Sequence, residues 1–429
     1  MILFAAFASE KGGASLDHAW TLILLQLILV VGVAQFAGMV AMRFKQPKAV
    51  GEMIAGLALG PSLLGWIFPE FYQKMIAEAP RFPLSVLSQI GLIFLLFQIG
   101  MEFEFSQLRS KSHRRTVSWV WISGVLIPLI LGISLGWISA PYLHPQGSQK
   151  LFAIFMGVAL SITALPILGR ILIEWKLEKS QLGVIAISCA AMDDVIAWIL
   201  LAIATGIAQS TLDWNHELLR WSGLFFYGMM GWFFVRPQLK KWIPKWIGTS
   251  PQMPFPLLGL ILSLLFCSAL CTQALGIFAI FGAFYLGVLL HDQPLFVSRW
   301  RDGISPLVMV FFVPIFFTFT GLRANIPGLS ASQDWFWLIG VILIATLGKW
   351  GGCYLAARWS GLNHPFSMAL GVLMNTRALM ELVVANVALD LGAISQKTFT
   401  MLVIMAITST VMTGPILHRL LRRNPELRN

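Results

Sequence analysis

Long apolar runs, each closed by a short polar or basic interruption, recur from end to end of the chain. A helix rises about 1.5 Å per residue, so crossing a lipid core takes roughly 20 apolar residues, within a range of about 17–25. Thirteen runs suit that length, at 16–42, 48–67, 84–104, 116–140, 151–174, 181–208, 218–235, 254–272, 275–291, 303–321, 335–357, 366–390 and 398–420. The weakest division lies between the eighth and ninth runs, where only Gln273 and Ala274 intervene. A chain in lipid must satisfy its backbone amides within each segment. The pattern therefore predicts an all-α polytopic membrane protein with 13 transmembrane helices. The longest loop, 236–253, has fewer than twenty residues, so no soluble domain fits between spans.

Composition agrees. Charged residues make up 11% of the 429 residues and hydrophobic ones 57%, whereas a soluble protein carries about 25% charge. The 30 Lys+Arg outnumber the 19 Asp+Glu, which in a soluble chain would raise nucleic acid as a partner. Here their placement says otherwise. Loops after odd-numbered spans and the C-terminus hold 21 of the positive residues, and the other side holds 7. That asymmetry predicts an N-terminus outside or lumenal, a cytoplasmic C-terminus and no nucleic-acid partner. Cys189, Cys267, Cys271 and Cys353 lie in apolar runs without metal spacing. No phosphate-binding loop or dinucleotide fingerprint is present, so ATP hydrolysis and a bound cofactor are not expected.

The two halves resemble each other. FQIGMEFEFSQL around the third span aligns with FTFTGLRANIPGL around the tenth, pairing Gly100 with Gly321. GVLIPLILG from Gly124 aligns with GVILIATLG from Gly340, and GVALSITALPIL from Gly157 with GVLMNTRALMEL from Gly371. The offsets are 221, 216 and 214 residues, and each pair sits seven spans apart. Seven is odd, so the second copy enters the membrane from the opposite side. Inverted-topology repeats are a common plan among secondary transporters.

Few ionisable residues fall deep in the spans: Asp193, Asp194, Lys349, Arg377 and Glu381, with Glu52 nearer an edge. A charge at the bilayer centre costs about 2.5–3.5 kcal/mol even on insertion scales, so these are candidates for function. Adjacent Asp193 and Asp194 point about 100° apart around a helix and can take different partners. Lys349 is the expected ion-pair partner, and a pair that breaks when a cation arrives would couple proton and cation movement. Arg377 and Glu381 are spaced i,i+4 and predict a pair on one helix face, equally suited to a structural or a transport role. Asn375 and Arg377 make MNTRALMEL polar for mid-membrane, and its repeat partner LSITALP carries Ser161, Thr163 and Pro166. Proline removes a backbone hydrogen bond and breaks a helix. The two segments predict crossed, interrupted helices. Their freed carbonyls, Thr163 and the two aspartates would form the Na⁺ site; the metal candidates are Asp194, Asp193 and Thr163.

PKAVGEMIAGLALGPSLLG, LSITALPILGRIL, AAMDDVIAW, PIFFTFTGL, GKWGG and MNTRALMEL together resemble the monovalent cation:proton antiporter-2 family of sodium/proton antiporters, cyanobacterial members among them. The resemblance covers about Gln46 to Leu420. It implies the Na⁺/H⁺ antiporter fold and a homodimer in a bacterial inner or thylakoid membrane. By that resemblance, 1–15 is a tail, 16–105 and 254–322 form the dimerisation scaffold, and 106–208 and 323–420 form a mobile core. A linker helix and basic loop occupy 209–253, and 421–429 is a cytoplasmic tail. Asp194 matches the ion- and proton-carrying aspartate, Asp193 the acid paired with the membrane lysine, here Lys349, and Thr163 the unwound-helix site. Arg377, Glu381, Asn375 and Ser161 support it. The Asp-Asp-Lys set resembles the electrogenic type. Many relatives carry cytoplasmic nucleotide-binding domains, a mode of regulation not expected in a chain that ends at Asn429.

The expected activity is secondary antiport of a monovalent cation, Na⁺ or Li⁺, against protons by elevator-like alternating access, not enzymatic catalysis. The alternative within the family is K⁺/H⁺ antiport or K⁺ efflux. An intramembrane aspartyl protease needs two aspartates on different helices facing one water, and this pair is adjacent on one. A passive channel would show flux without counter-movement of protons.

Overall fold

The computed structural model describes residues 16–44, 46–77, 81–101, 114–177, 180–209, 214–248, 252–275 and 278–428. The expected N-terminal tail and the basic positions Lys11, Lys45, Arg109, Lys111 and Lys179 lie outside them. Among the described residues the elements are helices, and ten are long and apolar enough to cross a membrane. Two shorter apolar helices, Gln149–Ser161 and Ala279–Leu290, accompany them.

The interruptions expected in the fifth and twelfth runs are present, and other boundaries differ from the sequence pattern for local reasons. The fifth predicted run is two helices, Gln149–Ser161 and Leu165–Glu174. The twelfth is likewise two, His364–Met374 and Leu379–Asp390. The eleventh continues through a π-helical turn, Leu347–Gly351, between Ser332–Thr346 and Gly352–Trp359. The weak division near Gln273 falls a little later: one helix ends at Ala274 and the next starts at Ala279. Helix starts follow from capping chemistry. Ser148 accepts from the Leu151 amide, Asn363 from Phe366 and Ser395 from Thr398.

Burial sorts the helices into a periphery and a core. The most apolar stretches of Ala19–Arg43 and Phe255–Ala274 are only 22% and 28% buried, whereas that of His364–Asp390 is 94% buried. The first two present exposed side chains such as Phe36, Leu24 and Phe255 to their surroundings, as lipid-facing helices do. The broken segment sits at the centre.

Glycines bring two helix pairs into backbone contact. A Cβ on Gly56 would meet the Thr318 carbonyl at 2.3 Å, and one on Gly321 would meet the Met53 carbonyl at 2.6 Å. A Cβ on Gly100 would meet the Phe284 carbonyl at 2.3 Å, and one on Gly287 the Phe97 carbonyl at 2.2 Å. Small residues permit this approach in lipid, where helices gain little from hydrophobic association and depend on close packing. Behind the second pair, Phe97 packs edge-on against the fully buried Trp300 at 4.8 Å between centroids.

Candidate functional site

The two broken helices meet at their breaks and repair each other's backbone. Pro166 has no amide to give to Ile162, its i−4 neighbour, so the helix stops at Ser161 and Ile162 turns extended. The freed groups find partners across the gap. The Ala164 amide donates to the Thr376 carbonyl at 3.0 Å, and the Thr163 hydroxyl donates to the Met374 carbonyl at 2.9 Å. The second break, 375–378, contains no proline. Thr410 of the last helix brackets it: the Arg377 amide donates to Thr410 Oγ1 at 3.2 Å, and that hydroxyl donates to the Arg377 carbonyl at 2.6 Å. Ala378 completes the break at φ 139°, ψ −84°, a region L-residues rarely occupy and one that is occupied only where the surroundings enforce it. Buried amides away from water need such partners.

Two cations close the carbonyl end of the half helix Gln149–Ser161. Arg377 Nη1 donates to Ala159 O at 3.2 Å, and Nη2 donates to Leu160 O at 2.8 Å and Ala345 O at 3.0 Å. Lys349 Nζ donates to Ser161 O at 2.5 Å. Cations at a helix C-terminus meet the negative end of its dipole. Lys349 reaches this point from the π-helical turn Leu347–Gly351.

The same lysine pairs with Asp193 Oδ2 at 2.6 Å, with both side chains fully buried. Asp193 sits on the helix Gln181–Gln209, and the Thr163 hydroxyl also lies within its reach. Asp194, the next residue, is 2% exposed. Its carboxylate faces the Leu165 amide at the start of the second half helix, where the dipole favours an anion. Asp193 Oδ1, Asp194 Oδ1, Asn375 Oδ1 and Thr376 Oγ1 are buried without hydrogen-bond partners. They offer oxygen ligands of the kind hard cations select. Among the described residues no three His, Cys, Asp or Glu side chains converge as a metal cluster.

The structure therefore brings Asp193, Lys349, Ser161 and Thr163 together, with Asp194 beside them. Arg377 and Glu381 pair as expected from their spacing, but not along one helix. Arg377 lies in the break, not on a helix, so the two do not share a helix face; Nη1 stands 3.6 Å from Glu381 Oε2. Thr410 and the Ala345 carbonyl escaped the sequence reading, although the hydroxyl run Thr408, Ser409, Thr410 and Thr413 within an apolar helix was a signal.

A multi-pass bundle with a buried Lys–Asp pair where two interrupted helices meet is the architecture of a membrane transporter. The family described as the transmembrane sodium/hydrogen exchanger matches residues 3–423, and the chain belongs to it; it is a transporter and not an enzyme. Na(+)/H(+) antiporter NhaS4 of Synechocystis is 36% identical over 401 residues, covering 92% of this chain and 96% of that protein. Cation/H(+) antiporter 17 of Arabidopsis thaliana is 34% identical over 412 residues, 95% of this chain. The chain spans about half of that plant relative, 49% of its length. The fold is similar to that of the sodium proton antiporter MjNhaP1 from Methanocaldococcus jannaschii at pH 8, with a TM-score of 0.64 at 17% identity, covering 96% of this chain and 98% of that one.

Proposed function

We propose that the chain is a secondary active Na⁺/H⁺ antiporter, also accepting Li⁺, electrogenic and working as a homodimer by elevator-like alternating access. The observation that carries this reading is the fully buried Lys349–Asp193 pair next to Asp194, whose Oδ1 has no hydrogen-bond partner. Asp194 binds the cation or a proton, and Asp193, Lys349 and Thr163 complete the site. Ser161, Asn375, Arg377 and Glu381 support it. Na⁺ arriving at Asp194 displaces a proton and draws Asp193 away from Lys349, which then releases its own proton. Two acids exchanging protons against one monovalent cation leave a net charge to move, hence the electrogenicity. The core shifts against the scaffold only when loaded, because bare carboxylates crossing lipid are costly. Loaded with protons the Asp193, Asp194 and Lys349 set is neutral, and loaded with Na⁺ it carries one negative charge.

The scaffold contacts support an inverted repeat within the thirteen spans read from the sequence. Under the alignment that pairs Gly100 with Gly321, the contact of Gly100 with Gly287 has its counterpart in the contact of Gly321 with Gly56. The two breaks that meet at Thr163 and Met374 form a second such pair. In this reading 16–105 and 254–322 are scaffold, 106–208 and 323–420 are core, and 209–253 links them. The N-terminus is outside or lumenal, and the C-terminus cytoplasmic.

Proton flux driven by a cation gradient in proteoliposomes tests the assignment. Asp194→Asn is expected to abolish it, and exchange at the wild-type rate in that variant sinks the reading. Running Na⁺, Li⁺ and K⁺ in turn settles the cation. A response to K⁺ alone transfers the chain to the K⁺/H⁺ class.

A further inference from the structure

Glu381 is a buried acid that the exchange at Asp194 leaves unused. It lies in the first turn of Leu379–Asp390 and is 1% exposed. Neither Oε1 nor Oε2 has a hydrogen-bond partner. An ionised carboxylate accepts at about four positions, and a buried one left without any is costly. A guanidinium alongside would normally close on it at about 2.7–2.9 Å, often as a two-pronged fork. Arg377 does not. Its Nη1 stays 3.6 Å away, while Nη1 and Nη2 donate to the carbonyls of Ala159, Leu160 and Ala345.

The surroundings contain little else that could answer a negative charge at Glu381. Of the elements packed on Leu379–Asp390, the half helix from 151 to 161 carries no ionisable side chain. The last helix carries none from 400 to 417. The helix Gln181–Gln209 contributes Asp193 and Asp194, which repel it. The helix Val313–Arg323 contributes Arg323, which is engaged with Asn386 and Asp390 at the far end of the half helix. Among the described residues Arg377 and Lys349 are the cations that act on Glu381, and Lys349 is engaged with Asp193.

We infer that Glu381 is a second proton-binding site, protonated in the conformation seen here, whose ionisation draws Arg377 off the carbonyls that end the half helix Gln149–Ser161. This rests on the antiporter reading and adds a control to it. With the proton on Glu381, Arg377 clamps Ala159, Leu160 and Ala345. When the proton leaves, the guanidinium closes the short gap to the carboxylate, and those carbonyl oxygens are released beside the break that holds Thr163. Freed carbonyls are ligands for a hard cation. Rising pH therefore prepares the cation site through a group other than Asp194.

Reconstituted full-length protein, driven with Na⁺ across a series of pH values, tests this. In the wild type the KM for Na⁺ is expected to fall as pH rises. Glu381→Gln, which cannot ionise, is expected to hold the alkaline KM roughly tenfold higher, the worth of one charge-assisted hydrogen bond, and to converge with the wild type at acid pH. The same pH dependence of KM in both proteins overturns the inference. Absence of Na⁺-driven flux in the wild type overturns the antiporter reading instead. Infrared spectroscopy with isotopically labelled glutamate provides a measurement without transport. In a Glu52→Gln background a protonated-glutamate band is expected at neutral pH, fading as pH rises and missing in Glu381→Gln. No such band in a folded protein overturns the inference even where Glu381→Gln cannot be made.

Discussion

Lys349 and Asp193 stand 2.6 Å apart on two different helices, with neither side chain exposed. Pairs of this kind add little net stability over a well-packed apolar replacement, yet losing one partner strands a buried charge at about 3–5 kcal/mol. Lys349→Met is therefore expected to lower the Tm of the detergent-purified protein sharply. Combining it with Asp193→Asn should restore most of the loss. A double variant as unstable as Lys349→Met would show that the pair is not the source.

The close glycine contacts make a second expectation. Gly321→Ala or Gly100→Ala places a methyl group against a backbone carbonyl that cannot move aside. Overpacking of this sort costs about 1–3 kcal/mol. Gly259→Ala and Gly340→Ala, which meet nothing within 4 Å, serve as controls and should melt like the wild type. Equal melting temperatures across all four would refute the backbone-contact reading.

Arg323 ties the end of Val313–Arg323 to the half helix Leu379–Asp390, donating to Asn386 Oδ1 at 2.8 Å and pairing with Asp390. Arg323 is the last residue of a helix that otherwise lies in the scaffold range, and beside it Asn386 Nδ2 donates to Thr320 Oγ1 at 3.0 Å. In the proposed cycle this junction therefore joins scaffold to core and must be released. Bridging Arg323→Cys and Asp390→Cys with a short thiol-reactive linker should arrest exchange, and cleaving the linker should restore it. Continued exchange in the bridged protein would rule out relative motion at this point.

Asp292, just past the helix Ala279–Leu290, links Arg236 and Lys240, with Arg236 Nη2 at 2.6 Å. Partial burial pushes its carboxyl up, but hydrogen bonds and charge from Lys240 and Arg236 outweigh it and hold it below the ordinary carboxylate value. A carboxyl with a folded pKa below its unfolded one adds stability above the unfolded value, lost as pH falls through the folded value. Solvent screening limits this to about 0.5–1 kcal/mol. Asp292→Asn should melt slightly below the wild type at pH 7, and the difference should shrink and vanish as acidification carries the pH below the ordinary carboxylate value and through the lowered one of Asp292. A gap that persists in acid would point to packing instead of charge.

The sequence made some parts of the site legible and hid others. Asp193, Asp194 and Lys349 stood out because an ionisable residue in an apolar run has few innocent explanations. The first break was readable from Pro166, since a missing amide is a local fact. The second was visible only as a polar stretch matched to the first. What opens it is Thr410, which lies more than thirty residues on, a tertiary cause that no local pattern carries. The same break changed the geometry of the expected Arg377–Glu381 pair, which forms at 3.6 Å but not along one helix face, because the face rule holds only where the helix continues.

The π-helical turn at Leu347–Gly351 has a consequence for how this protein tolerates change. Such a turn accommodates one residue beyond the α-helical count, so side chains on either side of it differ in phase by about 100°. Lys349 lies within that turn and meets Asp193 from it. Deleting Gly348 would let the helix wind regularly and swing the ammonium towards a different neighbour, with every contact residue still present. Insertions and deletions here are thus a graver hazard than most substitutions, and any alignment or redesign of this segment must preserve its length before its chemistry.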